Sequence, residues 1–112
     1  MSDFYTVIDI ISPYQIVLNC GAENGIKSDS EFFVYGVGDL LKDPETKEDL
    51  EVLEIPRGTG RVSHLQKKIC TIKSQNYRIL SHSSFFQLNL DRKTESLPFD
   101  SPQIGDRAKL LK

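Results

Sequence analysis

The chain has 112 residues and a mass of 12.7 kDa, with 38% hydrophobic and 27% charged side chains and a net charge of −2. That is enough to bury about two-thirds of its unfolded surface in one core, so neither a disulfide nor a metal is required for folding, and the apolar content excludes an unfolded chain. No apolar run is long enough to span a bilayer, and Met1 to Tyr5 begin no secretory signal, so the expected setting is cytoplasmic.

In chain order, residues 4–11 (FYTVIDII) are rich in β-branched and aromatic residues, Ser12-Pro13 interrupts them, and Gln15 to Cys20 (QIVLNC) resumes the pattern, which predicts a hairpin. Ile16, Leu18 and Cys20 share one face by the two-residue period and form the expected buried side. After the turn-rich stretch Gly21 to Ser30, Glu31 to Tyr35 (EFFVY) is apolar on both faces, as in a central or covered strand.

Residues 40–53 (LLKDPETKEDLEVL) predict a second hairpin. Asp43 is placed to accept hydrogen bonds from amides ahead of it, and Pro44 fixes φ for a right-handed start. After three such residues the chain reverses if Lys47 turns left-handed, where glycine is usually favoured. The flanks, near 37–42 and 49–55, then pair as strands. Pro56-Arg57-Gly58-Thr59-Gly60 reads as a connecting turn, followed by strands at Arg61 to Leu65, Lys68 to Lys73 and Tyr77 to Leu80. Residues 91–102 read as a surface loop and Gln103 to Leu111 as a closing strand. No stretch carries a helical stripe. The expected fold is mostly β: one domain over 1–112, a small closed or partly open antiparallel barrel of about six or seven strands, with an inserted segment at about 82–101.

The order Gly25-Ile26-Lys27, Phe32, Val34-Tyr35, Asp43-Pro44-Glu45-Thr46 with Leu50, Gly60-Arg61-Val62, Ser74 and Ile104-Gly105-Asp106 resembles the C-terminal β-barrel domain of flagellar assembly protein T and related small bacterial barrels, over roughly 5–81 and 103–111. Where that pattern has Gly-Asp before the aromatic strand this chain has Asp29-Ser30, and Lys47 stands at the turn glycine. The resemblance implies a small barrel with a non-catalytic, interaction-type role.

Little in the sequence supports catalysis. The two histidines, His64 and His82, have no motif around them, and no GxSxG elbow is present, so no catalytic residue and no cofactor are expected. Cys20 and Cys70 lie fifty positions apart without ligand spacing and read as buried free thiols. The carboxylates around Asp43 lack the spacing of a calcium loop, so no metal is expected either.

Charge is segregated along the chain. Residues 1–54 hold twelve carboxylates against three lysines, net −9, whereas residues 55–90 hold six basic residues and no acid. Basic strands facing the acidic hairpin would neutralise it. Alternatively Arg57, Arg61, Lys67, Lys68 and Lys73 form a nucleic-acid-binding face. The apolar Phe85, Phe86 and Leu88 of the inserted segment are candidates for contact with a protein partner or a second copy. The expected function is therefore a non-enzymatic interaction module, with nucleic-acid binding as the alternative.

Overall fold

The computed structural model describes residues 4–80 and 93–112. Eight strands occur among them: β1 (Tyr5–Ser12), β2 (Gln15–Leu18), β3 (Glu31–Lys42), β4 (Asp49–Leu65), β5 (Cys70–Ser74), β6 (Tyr77–Leu80), β7 (Lys93–Ser96) and β8 (Arg107–Leu110). Six close into an antiparallel barrel in the order β1-β2-β5-β4-β3-β8, and β6 pairs with β7 in a separate two-stranded sheet. Closure depends on β8, which pairs with β1 on one side and with Phe32 to Tyr35 of β3 on the other.

The interior follows from alternation. Phe32, Gly60 and Ser74 form one inward row across β3, β4 and β5, and Val62, Ile72 and Ile16 form the next across β4, β5 and β2. Ile16, Leu18 and Cys20 are fully buried, as their spacing predicts, and pack with Val7, Val34, Cys70 and Ala108. The Cys20 and Cys70 sulfurs lie 4.0 Å apart as free thiols inside this core. The hydrogen bond with Cys70, followed by burial, pushes the Cys20 thiol above its ordinary value, which suits apolar packing rather than nucleophilic use.

Three predicted elements differ from the structure. The segment Pro56 to Gly60 is not a connecting turn but the middle of β4, which runs for 17 residues. Pro56 lies where β5 is absent, so its missing N–H removes no ladder bond to that strand, and Gly58 takes φ 127° at a register shift opposite Val34 and Tyr35. Similarly, 91–102 is not all loop: Lys93–Ser96 is a strand, and the chain then crosses one end of the barrel. There Phe99, 1% exposed, plugs the core above Gly60, where a Cβ would sit 2.8 Å from the ring. The closing strand is shorter than predicted because Ile104-Gly105 form a turn, with Gly105 at φ 97°.

The hairpin at Asp43 forms as the residues require. The Asp43 carboxylate accepts hydrogen bonds from the Glu45 and Thr46 amides at 2.8 and 3.3 Å, and Lys47 adopts φ 64°. A non-glycine residue there costs about 1–2 kcal/mol. Lys47→Gly is accordingly expected to stabilise the protein by about 1 kcal/mol in denaturant unfolding, part of the gain being offset by the greater freedom of glycine in the unfolded chain. A loss of stability would contradict this reading of the turn.

Candidate functional site

The two longest strands outrun the barrel. β8 pairs with β3 only as far as Tyr35, and β5 pairs with β4 only from Gly60 onward, yet β3 and β4 continue to pair with each other out to Lys42 and Asp49. Residues 37–55 are therefore a two-stranded arm with no third strand on either edge among the described residues.

Its composition is unusual for a solvated ribbon. Val37, Leu40, Leu41, Leu50, Val52, Leu53 and Ile55 are all exposed, between 37% and 58%. Leu40 opposes Val52, whereas Leu41 opposes Glu51, so apolar side chains occupy both faces. Leu53 and Ile55 converge over Gly38, where a Cβ would meet the Leu53 side chain at 3.2 Å. A shallow groove of about 480 Å³ runs along Leu41 and residues 50–54 to Lys109. Between 37 and 55 the arm carries seven carboxylates against Lys42 and Lys47, net −5. Scattered exposed apolar residues are ordinary, whereas seven of them fall within this one two-stranded ribbon.

The root of the arm is fixed by polar contacts. Arg57 donates from Nε to the Asp106 carboxylate at 3.1 Å, and only 12% and 6% of the two side chains are exposed. The Asp106 carboxylate also accepts the Gln103 amide at 2.7 Å. The Arg57 guanidinium lies over Gly36, where a Cβ would stand 2.6 Å from Nη2. Asn76 ties the same place to the second sheet: its amide donates to the carbonyls of Arg57 and Pro98 at 3.3 and 3.1 Å, and its oxygen accepts the Thr59 amide at 3.3 Å.

The predicted site residues separate. Arg57 is consumed by its ion pair with Asp106, away from the others. Arg61 and Lys73 are directly opposed and exposed on the outer face of β4 and β5, and Lys67 and Lys68 occupy the turn joining these strands. Lys67 holds Glu23 at 3.8 Å. Phe85, Phe86 and Leu88 lie outside the described residues, as does His82. The expected neutralisation of the acidic hairpin by the basic strands is not found among the described residues: the arm is met instead by Lys109, whose Nζ is 2.6 Å from Glu54 and 5.0 Å from the Tyr35 ring centroid. The hydrogen bond with Glu54 raises Lys109 above its ordinary value.

A second, open cleft of about 780 Å³ lies between the barrel and the β6–β7 sheet. It is lined by Thr59, Gln75, Asn76, Tyr77 and residues 97–101, a set in which the polar side chains offer neither a nucleophile with a base nor paired carboxylates. His64 lines neither cleft. No metal-ligating cluster of three residues occurs among the described residues. Compared with protein-family models and with curated proteins, the chain matches none of either.

Sequence reasoning located the hairpin but not its projection. The missed signal was that the apolar positions of 31–42 on one side of the tight turn are answered by Leu50, Val52, Leu53 and Ile55 on the other.

Proposed function

We propose that this protein is a non-enzymatic interaction module whose contact surface is the β3–β4 arm. The observation that supports this most is the exposure of Leu40, Leu41, Leu50, Val52 and Leu53 on a ribbon with two open edges. Such an edge accepts another strand through main-chain hydrogen bonds, and side chains on both faces then select the partner. The rooting of Arg57 in Asp106 serves this use by holding the arm in one direction, which reduces the ordering cost of binding.

A Leu41→Asp/Leu53→Asp variant tests the reading. Both side chains are about half exposed, so stability should change by no more than about 0.5 kcal/mol per site. Chains that co-purify with the wild-type protein should be lost from the variant. Their retention by a folded variant would contradict the proposal.

A second reading has one observation in its favour. Arg61 and Lys73 form an exposed basic pair, as a nucleic-acid-binding face requires. Against it, Arg57 contributes nothing to that face, being committed to Asp106.

A further inference from the structure

The outer face of the barrel sets two cations side by side. Arg61 and Lys73 point outward side by side, because Gly60 and Val62 of β4 and Ile72 and Ser74 of β5 point inward. Like charges directly opposite on paired strands are destabilising. The other neighbour of Lys73 is the neutral Gln15, and the other neighbour of Arg61 is Glu31, whose carboxylate lies 3.3 Å from Lys112. Neither Arg61 nor Lys73 forms an ion pair with a described residue.

The missing anion is present at the other end of the same strand. Along β4 the arm carboxylates Asp49, Glu51 and Glu54 precede Arg61 by 7 to 12 residues, about 23–40 Å at ~3.3 Å each. The molecule itself measures 55 Å along its longest axis. The arm carboxylates therefore lie too far from Arg61 and Lys73 to meet them within one copy, beyond the Debye length of about 8 Å in physiological salt.

We infer that the acidic arm of one copy docks on the Arg61–Lys73 face of the next, so that copies associate head to tail. This rests on the reading of the arm as the contact surface and names its occupant as a second copy of this chain. Charge selects this arrangement. Arm against arm would bring two surfaces of net −5 together, and face against face would stack four cations, whereas arm against face joins opposite signs. Such a contact is heterologous, so each copy keeps one arm and one face available for further copies. Apolar ground for the leucines of the arm lies beside Lys73: Ile11 and Tyr14 are 56% and 39% exposed, and the Tyr14 carbonyl accepts the Ser74 amide at 2.8 Å.

A charge exchange tests the inference by sedimentation over a concentration series at low and at physiological salt. One variant carries Glu45→Lys/Glu48→Lys in the arm and the other Arg61→Glu/Lys73→Glu on the face. The wild-type protein should gain mass with concentration and lose it with salt. Each variant alone should remain monomeric, since the arm variant lowers the arm from −5 to −1 and the face variant sets like charges together, and an equimolar mixture of the two should associate again through the intact face of the first and the intact arm of the second. A wild-type protein that stays monomeric at low salt would overturn the inference, and so would a mixture that fails to restore association. Binding of a single-stranded oligonucleotide by the monomeric wild-type protein, lost in the face variant, would overturn it in favour of a polyanion. If the wild-type protein is monomeric while the arm still captures a different chain, the interaction-module reading survives and self-association alone is lost.

Discussion

Replacing Phe99 with alanine is expected to destabilise the protein by about 3–5 kcal/mol, the range for removing a fully buried phenylalanine. Against a total of about 5–15 kcal/mol for a domain of this kind, this is a large share. The ring is 1% exposed and closes the barrel end over Gly60, so its loss opens a cavity beside Ile72. Its backbone is also committed, with the Phe99 amide donating to Pro13 at 2.9 Å and the neighbouring Leu97 carbonyl accepting the Ser74 hydroxyl at 2.7 Å. Those bonds prevent the strap from collapsing into the gap, which places the expected cost toward the upper end. Phe99→Leu should cost far less, about 1 kcal/mol, because most of the volume is retained. Denaturant midpoints measure both, and a loss below about 1 kcal/mol for the alanine variant would mean that the strap does not seal the barrel.

Asp106→Asn is expected to cost about 3 kcal/mol, by leaving the Arg57 guanidinium buried without its counter-charge. The asparagine preserves shape, so the loss reports charge rather than packing. An Arg57→Met/Asp106→Leu double variant should recover most of it, because a buried pair replaced together by apolar groups leaves nothing unpaired. The single variant should also speed amide exchange at Val37 to Lys42, since Arg57 lies over Gly36 at the arm root. Equal losses in the single and double variants would contradict the assignment of Arg57–Asp106 as an energetically coupled pair.

How much of this was legible in the sequence depended on range. The Asp43 turn was readable to the individual residue because its determinants lie within five positions: a carboxylate accepting two amides, a proline and a left-handed Lys47. The inward face of β2 was readable for the same reason, since alternation needs only the strand itself. Phe99 was hidden, because residues 91–102 show turn chemistry and give no sign that one aromatic among them reaches Gly60. The Arg57–Asp106 pair joins positions 49 apart, and Arg57 in a stretch that reads as a connecting turn gives no sign of its partner.

The arm was half legible. Its turn and strands were expected, but a hairpin sequence does not state how far the neighbouring strands accompany it, and the exposure of Leu41 and Leu53 follows entirely from where β8 and β5 stop. The charge segregation was visible in full, whereas its resolution was not. Lys109, remote in sequence, meets the arm, while Arg61 and Lys73 remain side by side.

The most direct test of the arm as contact surface is site-specific photo-cross-linking in the cells that make the protein, with the reactive group at Leu41, at Leu53 or, as a control, at Ile104, which is 67% exposed on the turn before β8. Adducts to another protein chain at Leu41 and Leu53, with none at Ile104, are the result expected. Equal adducts at all three positions, or adducts at Ile104 alone, would contradict it.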